Sequence, residues 1–160
     1  MDAGGLLKSF MRGVAQPVFI VTARSEYGYS AFTASSVTSI SLDPPLMMVS
    51  VAKGSRSHDP LVGSRYFIIS LLDRGGVDVA SIMAGREEPL EKLRKAGFRD
   101  TEYGPLVNGS AAYLVLEKYR VYDGGDHSIV LGRIIDGSVP GVVECPLLYH
   151  NRSYTSVRGC

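Results

Sequence analysis

Six of the nine residues from Thr33 to Ser41 carry hydroxyls, in the run Thr33-Ala34-Ser35-Ser36-Val37-Thr38-Ser39-Ile40-Ser41. A hydroxyl both donates and accepts hydrogen bonds, so such a row suits a ligand with mixed polar edges. The same composition also suits a half-exposed strand, because threonine has good β-propensity. Soon after comes Lys53-Gly54-Ser55-Arg56-Ser57, with two cations and two hydroxyls around a glycine. It sits before a helix start, where backbone N–H groups favour anions. The loop is a candidate phosphate clamp, against the plain reading of a solvated basic loop. The third candidate is Gly124-Gly125-Asp126-His127-Ser128. Its glycines fit a hairpin turn, and such a turn puts His127 where a side chain can reach a pocket mouth.

Other chemistries lack their residues. His58, His127 and His150 lie far apart, and Cys145 and Cys160 form no metal-ligand spacing, so no metal site is expected. His58 and His150 read as structural or surface residues. Neither a G-x-G-x-x-G nor a G-x-x-x-x-G-K-S/T motif occurs, which leaves a Rossmann or P-loop site unsupported. Lys plus Arg is 17 against 16 Asp plus Glu. That balance argues against a broad nucleic-acid face. No apolar run approaches the roughly 18 to 20 residues of a membrane span, and Lys8 and Arg12 make the N-terminus a poor secretory signal. A disulfide framework is not expected from two cysteines, and a reducing cytoplasm fits.

The elements that must position these motifs are mostly strands. Leu6, Leu7, Phe10, Met11 and Val14 have helical spacing, and Pro17 marks the stop. Strands are expected over 18–23, through the hydroxyl run as far as Asp43-Pro44-Pro45, and over 46–52, 66–72, 111–122, 128–138 and part of 147–156. Short helices fit after Asp59-Pro60, over 77–85 and over 88–97, the last with Glu91 and Lys95 at i,i+4. Consecutive strands with few helices mean an antiparallel barrel or sandwich, not an alternating βαβ fold. A chain of 160 residues is expected to form one domain, 1–160.

Taken together, "GYSAFTASSVTSISLDPPLMMVSV", "GDHSIVLGRI" and "PLLYHNRSY" occur in an order that resembles the flavin reductase family with the FMN-binding split barrel. The resemblance covers roughly residues 10–156. It implies a mainly β, six-stranded antiparallel Greek-key barrel with flanking short helices, a homodimer, and flavin near the dimer interface. The implied cofactor is FMN, with FAD possible, and the implied co-substrate is NADH or NADPH. A monooxygenase component is the implied protein partner. Thr33, Ala34, Ser35 and Ser36 would approach the flavin, and Ser50 and Val51 would lie along its ring edge. Lys53, Ser55, Arg56 and Ser57 match a phosphate-side loop, and Met83, Ala84 and Gly85 match a segment that usually begins with an aromatic residue. His127 and Tyr154 would lie near the nicotinamide. Within this chemistry, a ferric reductase and a non-catalytic flavin-binding protein are the alternatives.

Overall fold

Ser35 and Ser36 alone link two strands that lie at opposite ends of one seven-stranded sheet. The computed structural model describes residues 2–160. The chain begins with α1 (Ala3–Arg12) and β1 (Gln16–Pro17), then β2 (Phe19–Ser25), β3 (Gly28–Ala34), β4 (Val37–Leu42) and β5 (Pro45–Ala52). There follow α2 (His58–Gly63), β6 (Tyr66–Leu71), α3 (Val77–Met83) and α4 (Pro89–Ala96). The remainder is β7 (Phe98–Thr101), β8 (Gly104–Val107), β9 (Ala112–Gly124), β10 (His127–Ser138), β11 (Leu148–His150) and β12 (Ser153–Thr155).

The large sheet runs β3-β2-β6-β9-β10-β5-β4, with antiparallel pairing throughout. Laid flat, its edge strands would stand about 29 Å apart at the usual strand spacing. The chain from Ala34 to Val37 spans at most about 11 Å. The sheet must therefore curl until its ends meet, and the Ser36 carbonyl accepts from the Ser50 amide at 3.1 Å at that closure. This corrects the expectation of one continuous strand through the hydroxyl run. The run is two strands broken at a corner, which makes seven strands where six were expected. Small residues at the corner let the backbone leave one side of the sheet and join the other.

The barrel interior is filled by Val21, Ala23, Val49, Val51, Phe67, Ile69, Leu116 and Val130. A second cluster lies outside it, where Ile20, Ala31 and Leu72 meet Ala80 and Met83 of α3 and Leu93 of α4. Strand β2 is thus covered on both faces, and its sequence is accordingly an apolar run rather than an alternation.

Several local expectations shift. Helix α1 forms with Asp2 as its cap, whose Oδ1 accepts from the Gly5 amide at 2.7 Å. Helix α2 is preceded by Ser57 rather than Asp59, with Pro60 still in its first turn. The Glu91–Lys95 pair does not form. Glu91 meets Arg94 at 2.7 Å and Lys95 meets Glu87 at 2.7 Å. The β7–β8 hairpin has no signal in the sequence, because "FRDT" shows no alternation and holds one apolar residue, Phe98. The disulfide expectation is also corrected, since Cys145 and Cys160 are bonded. Their pairing follows from tertiary contacts that lay the two segments together, including Ser156 Oγ donating to the Pro146 carbonyl at 2.7 Å. No helix among the described residues is long and apolar enough to cross a membrane.

Candidate active site

Three sequence motifs and one helix end converge at the corner where the barrel closes. Strand β5 runs antiparallel to β10, so Ala52 stands opposite His127. The Lys53 amide donates to the Asp126 carbonyl at 2.9 Å, which ties the cationic loop to the histidine turn. Helix α3 ends at Met83 beside the same corner. Between them lies a cleft of about 580 Å³. Thr33, Ala34, Ser35, Ser36, Ser50, Val51, Ser55, Arg56, Ser57, Met83, Gly85 and His127 all line it. With Ala84, which also lines it, thirteen of the fifteen residues expected at the site are therefore brought together.

Lys53 and Tyr154 are the two outside the lining. Lys53 turns away and pairs with Asp123, whose carboxyl is held below its usual range by that hydrogen bond and charge. Tyr154 packs against the cluster beneath α3, where burial pushes its phenol up. Its place follows from β12 pairing with β11, which sets it among the residues packed under α3.

The hydroxyls divide into two groups. Thr33 Oγ1 donates to the Ala80 carbonyl at 2.6 Å and so fastens β3 to α3. Ser57 is buried, accepts from the Ala31 amide at 3.1 Å and faces the Ala31 carbonyl at 3.3 Å. Those two serve the scaffold. Ser35, Ser36, Ser50 and Ser55 line the cleft and make no side-chain hydrogen bond to another of the described residues. Their donors and acceptors are available to a ligand. Thr38, Ser39 and Ser41, the rest of the run, lie on β4 outside the cleft lining.

The charged wall is richer than the sequence motif indicated. Arg56 Nη1 donates to the Arg86 carbonyl at 2.6 Å, and its Nε lies 3.3 Å from Glu88. Arg86, Glu87 and Lys92 also line the cleft. Lys92 is 5% exposed and donates to the carbonyls of Met83 and Gly85 at 2.9 and 3.3 Å. Burial pushes its ammonium below the usual lysine range, with Glu87 opposing and Arg56 adding to the shift. The missed signal was positional. Pro89, Lys92 and Leu93 share the buried face of α4 at i, i+3, i+4 spacing, which puts a lysine among apolar neighbours.

His127 opens β10 and is partly exposed. Its Nδ1 lies 2.7 Å from Asp126 Oδ1. That contact selects the Nδ1–H form of the neutral ring and leaves Nε2 as an acceptor. The same contact holds the Asp126 carboxyl below its usual range. His58 has a scaffold role instead, with Nε2 at 2.8 Å from Ser128 Oγ and Nδ1 at 2.7 Å from Asp59. Among the described residues no group of His, Cys, Asp and Glu side chains is arranged to hold a metal ion.

Comparison with known proteins agrees with this geometry. Residues 11–158 match the family described as Flavin reductase like domain. The reductase subunit HsaB of a flavin-dependent monooxygenase of Mycobacterium tuberculosis is 36% identical over 128 residues, covering 79% of this chain and 67% of that protein. The reductase component of the 4-hydroxyphenylacetate 3-monooxygenase of Thermus thermophilus is 32% identical over 147 residues, covering 92% of each. Some relatives are longer. The reductase component of the trigonelline monooxygenase of Acinetobacter baylyi is 33% identical, and the match spans 39% of its length. Among solved structures, the NADH:FAD oxidoreductase of Streptomyces globisporus in complex with NAD and FAD fragments superposes with a TM-score of 0.88 at 26% identity. That match covers 98% of this chain and 94% of the other. The match along nearly the whole sequence, on a barrel of the same shape, shows that the chain belongs to the Flavin reductase like domain family.

Proposed function

We propose that the chain is an NAD(P)H-dependent flavin reductase that supplies reduced flavin to a monooxygenase component. The observation that carries this reading is the set of unpartnered hydroxyls, Ser35, Ser36, Ser50 and Ser55, facing one cleft with Arg56 at its edge. A polyhydroxyl chain ending in a phosphate needs such a set, and FMN or FAD has both groups. A flavin held by those residues would supply the redox chemistry, as the acceptor of a hydride from the nicotinamide.

The protein's own part is binding and orientation. Ser35 and Ser36 offer hydrogen bonds to the ribityl chain, and Arg56 offers a planar guanidinium to phosphate. Val51 and Met83 line the cleft but are buried in the two clusters behind it, so they back its wall with apolar packing. His127 offers Nε2 as an acceptor to the nicotinamide amide, at the end of the cleft fixed by the Ala52–His127 register. Holding two rings in near-attack geometry supplies a large part of the acceleration in such reactions.

A homodimer is part of this reading. Supporting it are Ile40 and Leu42 of β4, 51% and 93% exposed, which leave apolar surface near the closure of the barrel. A cytoplasmic location fits a reaction that draws on NAD(P)H.

The test is direct. The purified protein is mixed with NADH or NADPH, with and without FMN or FAD, and nicotinamide oxidation is followed by absorbance. Flavin-dependent oxidation is expected. Flavin binding without oxidation would instead make the chain a flavin carrier, and faster turnover with chelated iron than with oxygen would favour a ferric reductase. Light scattering at flavin-saturating concentration tests the dimer.

A further inference from the structure

Lys92 is the buried cation of the cleft, and the proposed chemistry leaves it without a task. Its ammonium bridges the carbonyls of Met83 and Gly85, just where α3 stops. The Met83 carbonyl belongs to the last residue of α3, where C=O groups lack intrahelical partners, and Gly85 lies two residues beyond it. A lysine at a helix C-terminus can satisfy them and meet the negative end of the helix dipole. The bridge crosses from α4 to α3, because Lys92 sits on α4. It therefore fixes the turn from Met83 to Arg86 against the barrel. That turn presents the Arg86 carbonyl to Arg56 Nη1 at 2.6 Å.

Arg56 is otherwise weakly held. Its side chain is 58% exposed, and its ion pair with Glu88 at 3.3 Å is 64% exposed on the acidic side. Exposed pairs of this kind contribute little to fixing a geometry. The hydrogen bond to Arg86 is the short contact that sets the guanidinium's direction, and that bond depends on where the 83–86 turn lies.

We infer that Lys92 is a positioning residue that holds Arg56 toward a ligand phosphate through the Met83–Arg86 turn, so that it sets discrimination between phosphorylated and unphosphorylated flavin. The inference rests on the proposed flavin site. A lysine that only supported the fold would weaken all ligands alike or none. A lysine acting through Arg56 affects the phosphate alone.

The experiment uses the full chain in four further forms: Lys92→Met, Lys92→Arg, Arg56→Ala and the double variant Lys92→Met/Arg56→Ala. FMN and riboflavin are titrated by quenching of flavin fluorescence. Hydrogen exchange of residues 84–88 is measured on the proteins without ligand. Lys92→Met is expected to weaken FMN about tenfold, in line with loss of a charge-assisted hydrogen bond, and to leave riboflavin unchanged. It is expected to speed exchange across 84–88. Lys92→Arg, which keeps a buried cation, restores most of the FMN affinity. In the Arg56→Ala background, Lys92→Met adds no further loss, because both changes remove one pathway.

Equal weakening of FMN and riboflavin, or additive losses in the double variant, would overturn the inference. So would unchanged exchange at 84–88 together with unchanged FMN affinity. A wild-type protein that binds neither flavin would overturn the flavin reading, and with it the discrimination role. Faster exchange in Lys92→Met would then still establish that Lys92 holds the turn. If Lys92→Met does not fold, Lys92→Arg and Arg56→Ala still read the ligand ratio, and an Arg56→Ala loss equal for both flavins defeats the proposal.

Discussion

Lys53 is paired with Asp123 at the far side of the 53–57 loop, while Arg56 of the same loop lies on the cleft wall. The sequence offers the two cations as equals, but the barrel separates them. Lys53 follows Ala52, the last residue of β5, and pairs with the carboxylate of Asp123 in β9. Arg56 lies three residues on, beyond the turn, and faces the end of α3.

The two substitutions are therefore expected to part. Arg56→Ala should weaken FMN by roughly ten- to a hundredfold if it removes a charge-assisted bond to phosphate. Lys53→Ala should change FMN affinity by less than about threefold, as befits loss of an exposed ion pair. Titration of both variants with FMN decides it. Equal losses would mean that Lys53 leaves Asp123 to reach the ligand.

The barrel interior gives a second prediction. A Cβ built on Gly132 would stand 2.5 Å from Phe67 Cζ and 2.8 Å from Leu116 Cβ. Both neighbours are fully buried, so neither can swing aside. Gly132→Ala should cost about 1–3 kcal/mol as an overpacked core substitution. Urea denaturation checks it through a lower midpoint at unchanged slope.

Much of this arrangement is legible in the sequence. The strands of the barrel stand out because their runs are apolar and β-branched, and the three motifs stand out because hydroxyls, glycines and cations cluster in them. Residues whose role depends on a distant neighbour were not legible. Ser57 reads as a ligand hydroxyl, but its oxygen is occupied by the backbone of Ala31, 26 residues earlier. Lys92 reads as one more charge on a solvated helix until α4 is docked on the barrel. The break at Ser35–Ser36 has no proline or glycine to announce it. It follows only from the pairing of β3 with β2 and of β4 with β5.

Glu117 on β9 gives a pH dependence. It meets Arg133 at 2.9 Å and Arg65 at 3.2 Å, and the hydrogen bonds from those two guanidinium groups lower its pKa from the usual 4.5. A carboxylate whose pKa is lowered on folding contributes stability above its unfolded value. That contribution is lost as pH falls through the folded value. Glu117→Gln should lower the melting temperature at neutral pH and approach wild type at pH well below 4.5. Melting curves of the two proteins across that range test the sign. A gap that widens in acid would assign the effect to packing.

His127 carries the last prediction. Its Nδ1 is engaged by Asp126 at 2.7 Å, so its free nitrogen is Nε2, in a side chain that lines the cleft. Among the described residues no hydrogen bond or ion pair joins it to Arg56 or Ser55, and flavin affinity should survive its removal. His127→Ala is expected to bind FMN within about threefold of wild type, since no charge-assisted bond to the phosphate is lost. The rate of flavin reduction by NAD(P)H should fall by roughly ten- to a hundredfold, the scale of a misplaced reactant. Asp126→Asn keeps the ring but removes the carboxylate that selects its tautomer, so its loss should fall between wild type and His127→Ala. Stopped-flow mixing of flavin-loaded protein with NADH and with NADPH reads the reduction step apart from product release. A reduction rate unchanged in His127→Ala would make His127 a turn residue that only closes the β9–β10 hairpin. A parallel loss of FMN affinity would place the nicotinamide elsewhere and move His127 to the flavin's own binding set.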